Sequence, residues 1–160
     1  MRVTVHAVGR LKAGPERELA TRYFDRFAKF GGGQGLDFGH IVETAESRAG
    51  NAGTRMREEA GALERHFNAD TVLLALDERG RNLDSQAFAD MLGQWRDAGR
   101  RDLAIVIGGA DGLHDTIRDR AQAVISLGKL TWPHQLVRIL IAEQLYRAAT
   151  ILAGHPYHRS

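Results

Sequence analysis

The chain has 160 residues, of which 43% are hydrophobic and 26% charged, a size and balance that fit one folded domain with its own core and exclude wholesale disorder. Its 22 basic and 20 acidic residues are too evenly matched for indiscriminate nucleic-acid binding through bulk charge. With no cysteine, a disulfide framework, a thiolate zinc site and a cysteine nucleophile are all excluded.

The basic set is nearly all arginine, with Lys12, Lys29 and Lys129 the only lysines. An arginine excess suits bidentate phosphate contacts, and it equally follows from a compositional bias of the genome. The opening MRVTVHAVGR has no apolar signal core, and no apolar run nears the ~20 residues that span a bilayer. A soluble, cytoplasmic protein without membrane contact is expected.

Val3, Val5, Ala7 and Val8 form a short β pattern closed by Gly9. Gly14-Pro15 opens a helix, since proline suits the first helical position. Its apolar stripe is Leu19, Tyr23, Phe27 and Phe30, and the glycines at 31–33 end it. Phe38 to Glu43 reads as a second strand. A helix over Asn51–Phe67 follows, with Met56, Ala60, Leu63 and Phe67 inward. Thr71–Leu76 and Leu103–Ile107 are continuous apolar runs, the signature of strands buried on both faces. Between them Asp84 caps a helix that runs to Gly99, with Phe88, Met91, Leu92 and Trp95 inward. A helix from about His114 to Ala121 and a short strand over Val124–Leu127 come next. The alternation predicts an α/β domain with a mainly parallel sheet, spanning residues 1–160 as one unit.

The last helix runs from Pro133 to a stop at Gly154. Leu136, Val137, Ile139, Leu140, Ile141, Leu145, Tyr146, Ile151 and Leu152 leave it apolar on nearly every face, so it must be covered on nearly every face. One sheet covers one side; the other is left for a second copy of the chain, giving a homodimer, or for helices of the same chain. Glu143 and Arg147 are spaced to pair along this helix.

Gly108-Gly109-x-x-Gly112 lies between a strand and a helix, where open α/β sheets bind ligands. It is not GxGxxG, and no acidic residue ends the following strand, so a dinucleotide site has little support. A bare turn and a nucleotide-like ligand held by backbone both remain. No GxxxxGK[ST] or GxSxG occurs, which disfavours P-loop phosphoryl transfer and triad hydrolysis. The loop 127–134, Leu-Gly-Lys-Leu-Thr-Trp-Pro-His, enters the last helix with free backbone groups suited to an adenine edge or a carboxylate. Trp132 there reads as a lid or as core. The ending His155-Pro156-Tyr157-His158-Arg159 lacks the spacing and the acidic neighbours of a metal site, and none is expected. It reads as a frayed terminus or as an RNA contact: Tyr157 to stack on a base, Arg159 to pair with phosphate, His158 to move a proton.

Taken in order, these segments resemble the ribosomal RNA large-subunit methyltransferase H family of the SPOUT superfamily. The likeness runs through Ala7-Val8-Gly9-Arg10-Leu11-Lys12, Leu76-Asp77-x-x-Gly80 and Ile107-Gly108-Gly109-Ala110-x-Gly112-Leu113. It is densest over Ser126-Leu127-x-Lys129-x-Thr131-x-Pro133-His134-Gln135-Leu136-Val137-Arg138, and closes with Glu143-Gln144-x-Tyr146-Arg147-Ala148 and the tail. The resemblance implies a C-terminal trefoil knot, S-adenosylmethionine as methyl donor, an obligate homodimer, and methylation at N3 of a pseudouridine in an intersubunit helix of 23S rRNA within assembled ribosomes. It implies cofactor contacts at Leu76, Gly108, Leu127, Gly128, Lys129, Leu130, Thr131 and Trp132. Gly128 stands where serine is frequent in the family and Leu130 where methionine is common, both mild changes if the contacts are main-chain. The tail residues Tyr157, His158 and Arg159 fall on the target-facing end, with His158 the leading proton acceptor and Arg147 and Arg159 placed for developing negative charge or phosphate. The alternatives are a SPOUT methyltransferase for another RNA and a non-catalytic RNA-binding or ribosome-assembly factor.

Overall fold

The computed structural model describes residues 1–158. Arg159, named above as a tail contact, lies outside them. In chain order the elements are β1 (Arg2–Val8), α1 (Pro15–Gly31), a 3-10 turn (Gly32–Gln34), β2 (Asp37–Thr44), α2 (Ala52–Glu64), β3 (Val72–Asn82), α3 (Ser85–Asp97), β4 (Asp102–Ile107), α4 (Asp115–Arg120), β5 (Ala123–Ser126) and α5 (His134–Leu152). The five strands form one sheet in the order β2-β1-β4-β3-β5, and every pairing is parallel.

Residue parity explains how helices cover both faces. Alternate strand positions such as Val5, Leu74, Leu76 and Ile105 pack with Phe24 and Phe27 of α1, Phe88 and Leu92 of α3, and Ile141 and Leu145 of α5. The intervening positions Val8, Leu73, Ala75 and Val106 pack with Ala60 and Leu63 of α2 and Ile117 of α4. Both residue sets of each central strand are therefore buried, which is why the β3 and β4 sequences are continuously apolar rather than alternating.

Local chemistry sets the helix starts. Pro15 occupies the first turn of α1. Asn51 Oδ1 accepts from the Thr54 amide at 2.8 Å and Asp84 Oδ1 from the Ala87 amide at 2.7 Å, satisfying donors that have no partner inside the helix. His114 caps α4 through Nδ1.

The α1 stripe differs from the expected one. Ala20, Phe24, Phe27 and Gly31 are buried, whereas Leu19, Tyr23 and Phe30 are only half-buried. Ala20 and Gly31 take inward positions with Phe24 and Phe27, and Leu19, Tyr23 and Phe30 are left at the flanks. β3 also runs beyond its apolar core, through Asp77 to Asn82. Its first part pairs with β5 at Leu76–Ile125, and its extension meets β5 again at Arg81–Ile125 and Asn82–Ser126. Gly80 permits this second approach: a Cβ there would lie 2.5–2.6 Å from the Ile125 backbone.

Buried Ile141, Ala142, Leu145, Ala148 and Ala149 line the inner face of α5. Helices α1 and α3 pack beside it, and Leu136, Ile139 and Leu140 stay exposed or half-buried on the outer side. Helices of the same chain thus cover the flanks of α5 without completing its cover.

Candidate active site

In a wholly parallel sheet every strand delivers its loop to the same edge, so the carboxyl ends of β3, β4 and β5 converge. They enclose a cleft of about 590 Å³, within the size range of small-molecule and cofactor sites. Leu76, Ile107, Ile125 and Leu127 give it apolar walls, and Asp77, Glu78, Arg79 and Arg118 give it a charged side. Seven of the eight cofactor positions named from the sequence line it: Leu76, Gly108, Leu127, Gly128, Leu130, Thr131 and Trp132. Lys129 is exposed and lies outside the lining.

The loop 127–133 is held at its ends and open in between. Ser126 Oγ donates to the Gly128 carbonyl at 2.6 Å, and Trp132 Nε1 donates to the Leu127 carbonyl at 3.2 Å. The N–H groups of Gly128, Lys129, Leu130 and Thr131 make no hydrogen bond among the described residues. Trp132 is 39% exposed against the cleft, so the core reading of this residue fails. Gly108 is demanded by its own chain: a Cβ would stand 2.6 Å from the Gly112 carbonyl carbon and 2.7 Å from its oxygen. The two glycines meet where β4 turns into the cleft wall.

Two ion pairs were not foreseen from the sequence, although Asp77 and Arg138 stand in its motifs. Asp77, at the end of the apolar part of β3, takes Arg118 Nη1 at 3.2 Å, and Arg118 also donates to the Leu113 carbonyl and pairs with Asp115. This pair ties β3 to the 108–114 loop across the cleft. Arg138, 2% exposed at the start of α5, donates to Glu43 at 2.6 Å and to the carbonyls of Val8 at 3.0 Å and Gly9 at 2.5 Å. Arg138 and Glu43 are 95 positions apart in sequence, and no local pattern announces the pair.

The tail forms a second cluster at the other end of α5. Glu143 Oε1 accepts from Arg147 at 3.0 and 2.6 Å and from the Tyr157 hydroxyl at 3.2 Å, which realises the expected helical pair. The Arg147 guanidinium lies 5.0 Å from the Tyr157 ring centroid, Tyr157 packs on Tyr146, and His155 meets Phe30 edge-on. Burial, then the Glu143 charge, pushes the Tyr157 hydroxyl up to about 12, so it remains a donor at neutral pH. His158 Nδ1 faces Arg147 Nη1 at 3.5 Å. The frayed-end reading therefore fails through His158. Among the described residues, no group of three or more metal-ligating side chains is assembled, and no helix is long and apolar enough to cross a membrane.

A parallel α/β sheet with a cleft at its carboxyl edge, bordered by a loop with free amides, marks the class of α/β protein that takes small ligands at that edge. A family model described as predicted SPOUT methyltransferase matches residues 1–158. The ribosomal RNA large subunit methyltransferase H of Rhizobium meliloti (strain 1021) is 66% identical over 160 residues, covering 100% of both chains. The protein of that name from Agrobacterium fabrum is 63% identical over 159 residues, covering 99% of each. A probable methyltransferase from Bordetella pertussis Tohama I, known by crystal structure, shares the fold with a TM-score of 0.56 at 16% identity, over 92% of this chain and 95% of that one. The chain belongs to the SPOUT methyltransferase family, as its motifs indicate.

Proposed function

We propose that this protein is a homodimeric enzyme of the cytoplasm that methylates N3 of a pseudouridine in an intersubunit helix of 23S rRNA, with S-adenosylmethionine as donor and the assembled ribosome as substrate. Residues 1–160 act as one domain. The observation that carries the reading is end-to-end identity of 66% to a relative named as a large-subunit rRNA methyltransferase. The cleft fits the donor: apolar walls at Leu76 and Leu127 suit an adenosine, and the free amides of 128–131 suit a base edge or a carboxylate. Bound there, S-adenosylmethionine supplies a sulfonium-activated methyl group. Gly108 and Leu76 shape its bed, and Trp132 stands at the opening. The same reading includes the C-terminal trefoil knot that the family implies.

The family resemblance implies a dimer in which each tail reaches the partner's cofactor in a composite site, and the spacing along α5 agrees with it. Val137 lines the cleft and Arg147 holds the tail, ten residues apart on α5, or about 15 Å along the axis. This spacing sets the tail apart from the cleft of its own chain and agrees with a site completed by a second copy. A second copy packed on the outer stripe of Leu136, Ile139 and Leu140, with α5 running the opposite way, would bring its tail to this cleft.

The chain's chemical task is to position the target and to deal with the proton on N3. Arginine only donates, so where His158 Nδ1, 3.5 Å from Arg147 Nη1, accepts from it, the ring proton sits on Nε2. In that state His158 offers a donor to a uracil oxygen; serving as the base requires it to leave Arg147. This contact favours a step in which water takes the proton while Tyr157, His158 and Arg147 order the RNA.

The test is transfer of labelled methyl to ribosomes from cells lacking this protein, with free 23S rRNA in parallel and the product nucleotide identified by mass spectrometry. Label on one pseudouridine, in ribosomes only, is expected. Label on another RNA would redirect the activity, and cofactor binding without transfer to any RNA would leave the assembly-factor reading ahead.

A further inference from the structure

Beside the cleft, the loop between β1 and α1 is more firmly built than its sequence requires. Leu11 is buried, and its amide donates to Glu43 Oε1 at 2.8 Å. Glu43 is held by Arg138, which also takes the Val8 and Gly9 carbonyls. The Gly9 amide donates to the Thr44 carbonyl at 2.8 Å. Four points thus fix the stretch 8–11, while Arg10 and Lys12, either side of the buried Leu11, are exposed. Arg48, on the neighbouring loop after β2, is exposed as well. None of these three cations has an ion-pair partner or a side-chain hydrogen bond among the described residues. Arg2, Arg55, Arg96, Arg118 and Arg147 are each matched to a carboxylate; other exposed cations such as Arg17, Arg22 and Arg57 share the lack of a partner, and what sets Arg10 and Lys12 apart is a fixed backbone beside the cleft.

The loop adjoins the cleft on two sides. A Cβ on Gly109, in the cleft wall, would stand 3.0 Å from Val8 at the end of β1. Arg138, which grips the loop, follows Val137 of the cleft lining on α5. Two residues of extended chain reach at most about 7 Å, so Arg10 stands within that reach of Val8, where β1 touches the cleft wall at Gly109. A pre-positioned pair of unpaired cations beside a transfer site suits the phosphates flanking a presented nucleotide, because such contacts fix register without reading sequence.

We propose that the Gly9–Gly14 loop, clamped by the Glu43–Arg138 pair, is a phosphate-docking element that seats the RNA backbone at the cleft through Arg10 and Lys12, with Arg48 alongside. It would also account for how a nearly neutral protein engages RNA: a few placed cations replace a charged field. The proposal rests on the rRNA methyltransferase reading.

The experiment compares wild type, the double variant Arg10→Ala/Lys12→Ala, and the charge-conserving Arg10→Lys/Lys12→Arg. Each is assayed for methyl transfer to ribosomes and for cosedimentation with them over a salt series, and its melting temperature and S-adenosylmethionine affinity are measured. The alanine variant should keep its melting temperature and cofactor affinity. Its kcat/KM for ribosomes should fall at least about tenfold, mainly through KM, and its salt slope should flatten by about one to two. The conservative variant should keep most of both. Unchanged KM and salt slope in the alanine variant would overturn the docking role, as would a loss confined to kcat. If wild type cosediments without transferring methyl, the catalytic reading fails while cosedimentation still tests the loop. If wild type does neither, both fall.

Discussion

His6 stands on β1 with its ring 4.9 Å from Phe67 and 5.5 Å from His66, and Nε2 lies 3.0 Å from Thr4 Oγ1 while Nδ1 is buried without a partner. Burial first, then the charges of His66 and His40, lower its pKa from 6.5 to about 4. A histidine held neutral in the folded state is protonated more readily in the unfolded one. Its contribution to stability is therefore complete above pH 6.5, falls as pH drops from 6.5 to about 4, and is lost below that. The span corresponds to at most roughly 3 kcal/mol. Urea unfolding at pH 7 and pH 4.5 should show wild type losing more stability than His6→Gln over this interval; equal losses would refute the assignment. The residue also shows where reading by alternation stops. In Val3-Thr4-Val5-His6-Ala7-Val8 the apolar positions announce a strand, but only helices on both faces bury the positions between them, and that cover comes from α2, far along the chain.

At the scale of elements, the clearest expectations were those written in side-chain type alone. The apolar runs of β3 and β4, the Asp84 cap, the Pro15 start of α1 and the span of α5 all follow from residues within one turn or strand. The β3 extension does not: Asp77 to Asn82 is polar because it lies at the cleft and on the rim, so nothing in its composition marks a strand. Likewise Leu19, Tyr23 and Phe30 suggested a stripe one position away from the true one, because aromatic size is visible in sequence while the closeness of helix to sheet, which favours Ala20 and Gly31, is not. In the cleft, the 127–132 loop and the 108–112 turn were legible as backbone sites, whereas the Asp77–Arg118 and Glu43–Arg138 ties depend on long-range topology. Two glycines test this division. Gly61 sits within α2 with open space around its missing Cβ, so Gly61→Ala should stabilise by about 1 kcal/mol through helix propensity. Gly80→Ala forces a methyl into the Ile125 backbone and should cost roughly 1–3 kcal/mol or more. Because Asp77, Glu78 and Arg79 line the cleft, it should weaken cofactor binding too. Thermal melts and calorimetric titration read both, and a Gly80→Ala protein as stable as wild type would refute the close crossing of β3 over β5.

Over the whole molecule, α5 separates the two halves of the proposed chemistry. Its first turn faces the cleft, and the tail packs on Glu143 and Arg147 further along, so in the proposed dimer each cleft is completed by the partner's tail. This arrangement makes a prediction that neither a monomeric enzyme nor a dimer with self-contained sites shares. Take one variant with the cleft spoiled by Gly108→Trp, whose side chain must displace the Gly112 backbone, and another with the tail spoiled by Tyr157→Ala and His158→Ala. Each alone should transfer almost no methyl to ribosomes. Co-expressed in equal amounts, half of the dimers are mixed, and each mixed dimer pairs one intact cleft with one intact tail. Activity should then return to about a quarter of the wild-type value. A cleft fed by its own chain's tail predicts none, since every protomer in the mixture carries one lesion. Sedimentation equilibrium on the same samples separates the two ways of failing: dimers without recovered activity would refute the composite site while keeping the interface on α5, and monomers would refute both.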